Sequence, residues 1–236
     1  MTSFYLKIIA LITMFIDHIG SVIFPNHFWL RYIGRIAFPI YAFLISEGLK
    51  KTSNIKKYLI NLLMLAVTSE IFYDLCFNKN ISLFYKTNTV YTLFIASLSI
   101  YLYNKHSNII LKYLSLLLGL SISYILKTDY DILGVLLIFI FYFLHNKYKY
   151  LIYGIIWVNI KYLSNISYIL QYIFNKNIYL PNIYVINSLG LYLFTIVPFL
   201  IIMFYNNKKG KNLKYTFYVL YPLHLFILYI IKLFIL

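Results

Sequence analysis

Long apolar segments alternate with short polar loops along the whole chain. A membrane-crossing helix needs roughly 20 mostly apolar residues, and segments of this kind cover 4–24, 32–49, 56–77, 88–104, 108–126, 130–146, 148–163, 183–205 and 214–235. The pattern predicts an all-α fold, a polytopic transmembrane helix bundle of about nine spans, with residues 1–236 forming one membrane domain. Several segments are short, and the pattern is weakest in the second and sixth, so we expect some helices to be tilted, buried or locally broken.

Two stretches need a separate interpretation. The first apolar segment contains Asp17 and His18 and has no small-residue cleavage site, so we interpret it as a retained helix and not as a signal peptide. Residues 165–180 are polar and aromatic and too short to cross twice. Because tyrosine is favoured at headgroup depth, we predict an interfacial helix or loop there.

Composition excludes an ordinary soluble domain. Hydrophobic residues make up 62% of the chain, charged residues 11%, and mean hydropathy is +0.79, whereas a soluble domain carries about 25% charged residues. A single cysteine, Cys76, excludes an internal disulfide, and no Cys cluster or paired-His motif predicts a metal site. The net charge of +15 is scattered over short loops, which favours contact with anionic lipid over nucleic-acid binding.

Basic residues predict the orientation. Two loops hold four lysines each, namely Lys50, Lys51, Lys56 and Lys57, and then Lys208, Lys209, Lys211 and Lys214. With nine spans both loops fall on one side, which then holds more than half of the 21 Lys and Arg residues. The positive-inside rule makes this side cytoplasmic. We therefore expect a plasma (inner) membrane protein with a cytoplasmic N-terminus and Leu236 on the outer side.

The candidate chemistry lies in a few ionisable residues, because charges inside a membrane are costly and usually functional. In the predicted topology most of them fall in the outer half of their helices and could meet in one polar cavity: Asp17, His18, Arg31, Arg35, Glu70, Asp74, Asp129 and Asp131, with His224 near the midplane beside Tyr221. Glu47 lies toward the inner end.

Each of these residues also has a structural interpretation. Asp17 and His18 could pair with Arg31 or Arg35 only to hold two helices together. Glu70 and Asp74 share a helix face, where two carboxylates repel each other unless a proton or cation, or the arginines, neutralise them. Asp129 and Asp131 could be solvated turn residues, and His224 could be a structural residue beside the Pro222 kink.

Several motifs that lie in order along the chain resemble the TraX family, named for a pilin N-acetylation protein. They are LKIIALITMFIDHIG (6–20), LRYIGRIAFPIYAFLISEGLKKT (30–52), SEIFYDL (69–75), NTVYTL (88–93), TDYDILGVLLIFIFY (128–142), FYNNKKGK (204–211) and YVLYPLHLFILY (218–229). The resemblance implies an integral membrane acyltransferase that uses acetyl-CoA and an amine acceptor, such as the N-terminus of a pilin. Another exported peptide, a sugar or a small amine is equally open as the acceptor, and the residues lead us to expect no metal.

The resemblance and the residues together suggest roles. We expect His18 to act as the general base, with Asp17 stabilising the cationic ring and Arg31 and Arg35 holding CoA phosphates or the developing oxyanion. His224 is a second candidate, which could position the thioester. The remaining candidates are catalytic Glu70 and the polar-cavity residues Asp74, Glu47, Tyr221 and Asp129.

Two further interpretations belong to other functional classes. A proton-coupled transporter or channel could use the same His and carboxylate cavity, although no internal symmetry typical of transporters is visible. A structural assembly factor could use the charges only to pack its helices.

Overall fold

The computed structural model describes residues 1–77, 86–174, 182–211 and 214–235. Eleven helices occupy this part of the chain: α1 (Ser3–Val22), α2 (Phe28–Gly34), α3 (Ala37–Lys51), α4 (Ile55–Phe77), α5 (Thr89–Lys105), α6 (Ile109–Ile125), α7 (Asp131–Phe143), α8 (Lys147–Lys161), α9 (Leu163–Phe174), α10 (Asn182–Met203) and α11 (Lys214–Ile235). The described residues contain no strand, only an isolated bridge between Thr87 and Thr128. The predicted all-α fold is confirmed.

Each predicted segment corresponds to a helix or a helix pair. Four stretches are long and apolar enough to cross a membrane by length and composition, namely Ser3–Val22, Phe28–Lys51, Ile55–Phe77 and Val185–Met203, and three apolar helices are shorter. The first part of the 165–180 stretch lies in α9, and residues 175–180 lie outside the described residues.

The second predicted segment is broken, as expected for one of the two weakest patterns. Helix α2 ends at Gly34 and α3 begins at Ala37. Pro39 lies in the first turn of α3, where its missing N–H needs no partner. A continuous helix would instead drive the proline ring against the carbonyl of Arg35, so the chain stops and restarts here.

Asparagine residues begin three of the helices. The side chains of Asn88, Asn108 and Asn146 each accept a hydrogen bond, 2.8 Å long, from the backbone N–H two residues later. Such N-caps satisfy one of the free donors at a helix start. These caps determine the residues at which α5, α6 and α8 begin.

The helices divide into two compact units. The first contains Met1–Tyr41 and His145–Gly210, and the second contains Ala42–Leu144 and Lys211–Leu236. In the first unit α1 packs on α2, and α10 packs on α2, α8 and α9. In the second, α5 packs on α4, α6 and α7, and α11 packs on α4. The single domain expected over 1–236 stays a prediction.

Contacts within the first unit group its loops as the charge pattern predicts. The Met1 ammonium donates to the Phe204 carbonyl at 2.6 Å, and the Ser3 N–H donates to the Lys208 carbonyl at 2.9 Å. The Lys147 ammonium donates to the Met203 carbonyl at 3.1 Å. The start of α1, the start of α8 and the end of α10 therefore lie together, as expected for loops on one side of the membrane.

The second unit has its own polar end contacts. The Lys50 ammonium donates to the Phe141 carbonyl at 2.8 Å, and Asn104 donates to the Tyr142 hydroxyl at 2.7 Å. The ends of α3, α5 and α7 thus meet. The chain before α5 meets the turn after α6 at the Thr87–Thr128 bridge, near the opposite ends of these helices.

Candidate functional site

The carboxylate of Asp17 binds both arginines that follow it. Asp17 Oδ2 lies 3.1 Å from Arg31 Nη1, and Asp17 Oδ1 lies 3.3 Å from Arg35 Nη2. Arg31 also donates to the Asp17 carbonyl at 2.9 Å, and Arg35 Nε donates to the Arg31 carbonyl at 3.2 Å. Two guanidinium groups and one carboxylate carry a net positive charge, and the Arg31 side chain is 29% exposed. The two arginines, called the arginine pair below, tie α1 to α2 through the Asp17 carboxylate.

Two glycines allow α1 and α2 to approach this closely. A Cβ at Gly34 would lie 2.0 Å from Asp17 Oδ1, and a Cβ at Gly20 would lie 2.5 Å from the Leu30 Cβ. Small residues at a helix interface let two backbones come together. Gly34 therefore makes room for the carboxylate that the arginine pair holds.

His18 is next to Asp17 on α1 and is buried, with 8% of its surface exposed. Adjacent helical side chains point about 100° apart. The Asp17 carboxylate contacts both guanidinium groups. The expected stabilisation of the cationic His18 ring by Asp17 stays a prediction.

Glu70 joins α4 to the start of α5 in the second unit. Its Oε2 accepts hydrogen bonds from the Asn88 backbone N–H at 3.0 Å and from the Asn88 side-chain amide at 2.6 Å. Within the described part of the chain its buried Oε1 has no hydrogen-bond partner. Asp74 lies one turn further along α4 and is 1% exposed. Two buried acids on one face, with one oxygen unmatched, are suited to holding a proton.

Asp129 is part of a polar turn and is anchored on both oxygens. Lys86 Nζ lies 2.8 Å from Oδ1, and the Thr89 hydroxyl donates to Oδ2 at 2.8 Å. The turn borders an open depression of about 640 Å³, lined also by the exposed Asp131. These contacts favour the structural interpretation of Asp129, whose predicted place in a substrate cavity stays a prediction.

His224 and Tyr221 lie together on α11. Their ring centroids are 5.4 Å apart, and His224 Nδ1 lies 3.0 Å from the Leu220 carbonyl. A ring that donates from Nδ1 keeps its lone pair on Nε2 in the neutral form. His224 is 7% exposed, so it is a buried imidazole of fixed orientation, about three turns beyond the start of α11 and two residues after Pro222.

Glu47 lies among the lysines at the end of α3. Its carboxylate is 2.6 Å from Lys51 Nζ and 3.7 Å from Lys50 Nζ. These ion pairs with lysines one helical turn away account for the position of the Glu47 carboxylate without a bound substrate. Its predicted role in a polar cavity stays a prediction.

The structure therefore brings together some of the predicted residues. Asp17, Arg31 and Arg35 form one cluster with His18 beside it in the first unit, whereas Glu70, Asp74, Tyr221 and His224 belong to the second. The convergence of both sets on one cavity stays a prediction. The described residues contain no group of three or more His, Cys, Asp or Glu side chains that could hold a metal ion.

Two residues at these clusters were missed by the sequence reasoning. Gly34 lies between the two arginines, and a small residue at that place is a signal for close helix approach. Asn88 is the first residue of the predicted segment 88–104, a position where asparagine is a typical N-cap. Its second role as the donor to Glu70 has no signal in the sequence, because it depends on the packing of α4 against α5.

Comparison with known proteins supplies the family. The chain is 28% identical over 251 residues to a protein of Dichelobacter nodosus described as "Probable fimbrial assembly protein FimC, serogroup H1", and the match covers 99% of this chain and 96% of that protein. No solved structure matches the chain. The sequence model of the family described as TraX protein matches residues 3–232. This match covers nearly the whole chain, and the protein belongs to the TraX family.

Proposed function

We propose that this protein is a membrane-embedded acyltransferase of the plasma (inner) membrane. It would move an acetyl group from acyl-CoA to an amine at the outer face, such as the N-terminus of a pilin or another exported peptide. Family membership supports the class of reaction, and the fimbrial assembly protein that matches 99% of this chain supports a pilin-like acceptor.

The observation that carries the proposal is the arginine pair beside His18. Three charged side chains with a net positive charge join α1 to α2, and Asp17 among them is the sequence neighbour of the buried imidazole of His18. Positive groups in a low-dielectric site stabilise the oxyanion of acyl transfer. A histidine beside that place can accept the proton that the amine must lose.

His18 and the arginine pair can account for each bond and proton of the acetyl transfer. A neutral amine attacks the thioester carbonyl, the C–N bond forms, and the carbonyl oxygen becomes an oxyanion that the arginine pair can stabilise. His18 takes the proton from the amine nitrogen and returns it to the CoA sulfur as the C–S bond breaks. The products are the acetylated amine and CoA thiol, and His18 ends neutral.

The position of the arginine pair favours the thioester end of the donor. Asp17 follows Ser3 by fourteen residues on α1, which is about 21 Å at 1.5 Å per residue. With the N-terminus in the cytoplasm, the pair lies far from the side that supplies acyl-CoA. The phosphates would then stay near the basic loops while the pantetheine arm reaches into the bundle, so contact with the thioester oxygen fits better than contact with phosphate.

One observation favours the transporter as the second candidate. Glu70 Oε1 is buried without a partner in the described residues, and Asp74 is buried one turn away. Carboxylates of this kind occur in proton relays. A transporter would move protons across vesicles that contain no acyl-CoA, whereas the acyltransferase would leave the vesicle pH unchanged under the same conditions.

The test is transfer of labelled acetyl from acetyl-CoA by purified protein in proteoliposomes. The acceptors are a pilin-type peptide with a free N-terminus and the same peptide with the terminus blocked. We expect label on the free peptide and none on the blocked one. Equal labelling of both would exclude the terminal amine as the acceptor, and labelling of neither by a protein that moves protons would favour the transporter.

A further inference from the structure

Tyr32 connects the arginine pair to a third helix. It follows Arg31 on α2, and its hydroxyl donates to the Asn187 side-chain oxygen on α10. The ring lies against Gly190 so closely that a Cβ there would be 2.6 Å from Tyr32 Cε2. The ring also lies 6.0 Å, centroid to centroid, from Phe194 of the same helix. All of these residues belong to the first unit.

Helix α2 needs such an external support. It has only seven residues, and helices this short do not persist without tertiary contacts. Neighbouring residues point about 100° apart, so Arg31 contacts α1 while Tyr32 contacts α10. The place of both guanidinium groups thus depends on two anchors, the Asp17 carboxylate and the Tyr32 hydroxyl.

Resting on the proposed function, we propose that Tyr32 and Asn187 are positioning residues for the arginine pair. By holding α2 against α10, they fix the depth and direction at which Arg31 and Arg35 meet the acyl thioester. Neither residue would touch the reacting atoms. Gly190 supports this arrangement, because the absence of a side chain there lets the Tyr32 ring lie close enough for its hydroxyl to reach Asn187.

The test compares two tyrosines of the first unit. Tyr32→Phe removes only the hydroxyl that binds Asn187, and the control Tyr162→Phe removes a hydroxyl that accepts from Thr195 of α10 at 3.1 Å. The first measurement, without any CoA, is the rate at which an arginine-specific dicarbonyl reagent modifies Arg31 and Arg35, located by mass spectrometry. The second is kcat and KM for acetyl-CoA.

We expect Tyr32→Phe to speed modification of the arginine pair roughly two- to tenfold, the range for one neutral hydrogen bond. We also expect kcat/KM for acetyl-CoA to fall by a similar factor, with Tyr162→Phe near wild type in both measurements. A second variant, Asn187→Ala, removes the acceptor and leaves Tyr32 in place. Asn187→Ala should behave as Tyr32→Phe does. If Tyr32→Phe fails to fold, Asn187→Ala tests the positioning role in its place.

Equal modification rates in wild type, Tyr32→Phe and Asn187→Ala would overturn the positioning role. So would equal changes in Tyr32→Phe and Tyr162→Phe, which would indicate helix packing alone. If the wild type transfers no acetyl group, the proposed function fails by itself. The modification rates, measured without donor, then decide on the positioning role.

Discussion

Gly34 of α2 lies directly against the carboxylate of Asp17 on α1, since a Cβ at Gly34 would be 2.0 Å from Asp17 Oδ1. Gly34→Ala must therefore push the carboxylate away from the arginine pair. We expect a loss of about 1–3 kcal/mol of stability, as for other overpacked positions, together with weaker acetyl-CoA use. Thermal unfolding in detergent and kcat/KM report these effects.

Gly48→Ala is the matched control for this variant. Its added Cβ would meet the Tyr58 hydroxyl at 2.6 Å, at the far end of a side chain that can rotate aside. We expect a smaller loss of stability and no change in acetyl-CoA kinetics. Similar results for the two alanine variants would mean that the Asp17 carboxylate tolerates displacement and does not set the arginine geometry.

Arg35→Lys tests the donor contact of the arginine pair. Arg35 uses Nη2 for Asp17 and Nε for the Arg31 carbonyl, and a lysine cannot reproduce this fork. A charge-assisted contact contributes about 1.5–3 kcal/mol, so we expect kcat/KM for acetyl-CoA to fall roughly 10- to 150-fold. Contact with the developing oxyanion predicts a loss mainly in kcat, and contact with phosphate predicts a rise mainly in KM.

The structural interpretation of Arg35 predicts another outcome. If the ion pairs only join α1 to α2, Arg35→Lys lowers the unfolding temperature but leaves acetyl-CoA affinity and turnover of the folded fraction unchanged. Measuring the unfolding temperature and the acetyl-CoA kinetics on the same preparation shows whether Arg35 only joins the two helices or also contacts the acyl donor.

Glu70→Ala should destabilise the protein more than Glu47→Ala. Glu70 is 5% exposed and satisfies two donors of Asn88, and a buried donor left unpaired costs about 1–3 kcal/mol. Glu47 pairs with lysines, one of which is 50% exposed, and such pairs contribute less. Glu70→Gln keeps one acceptor oxygen and should lie between wild type and Glu70→Ala.

Chemical or thermal unfolding of the three variants in one detergent checks this order. Equal stability of Glu70→Ala and Glu47→Ala would mean that Asn88 finds other acceptors and that Glu70 is no structural link. Loss of proton flux in a folded Glu70→Gln variant would support the transporter.

The helices could be predicted from the sequence because each apolar segment is bounded by polar loops. Even the break in the second segment has a local cause, the proline at position 39. The nine-span topology also placed the N-terminus and the second basic loop on one side, and the contact between Ser3 and Lys208 agrees with this grouping.

The pairing of the ionisable residues could be predicted only in part. Pairing of Asp17 with Arg31 or Arg35 was one of the two interpretations of these residues, because a charge in a membrane needs a partner. The connections from Tyr32 to Asn187 and from Glu70 to Asn88 join residues on different helices. The hydrophobic periodicity of one helix does not show which other helix it packs against. These contacts between helices could therefore not be predicted from the sequence.

Cysteine labelling in intact cells tests the predicted sidedness. In a background where Cys76→Ser keeps a donor for the Leu225 carbonyl, cysteines replace the exposed residues Ser53, Lys208 and His27 one at a time. Asn212, another position in the second basic loop, lies outside the described residues. We expect a membrane-impermeant thiol reagent to label only the His27 position, because the two basic loops face the cytoplasm.

Opening the cells should make the two loop positions reactive. Labelling of both loop positions in intact cells, with protection at the His27 position, would reverse the orientation. Labelling of only one loop position would mean that an odd number of spans separates the two loops, which contradicts the nine-span topology.

Single-turnover acetyl transfer by His18→Gln, measured across a range of pH, tests the central proposal most directly. Glutamine keeps a polar side chain but cannot take the proton of the amine, and a general base contributes roughly 10²–10⁴-fold. We predict that His18→Gln loses the rate by such a factor and loses the acidic limb of the pH profile. The control His27→Gln, in an exposed loop, should match wild type, and His224→Gln should keep the limb while weakening use of the thioester. A near-normal rate with an intact pH profile in His18→Gln, and loss of the limb in His224→Gln, would contradict the account and place the base on α11.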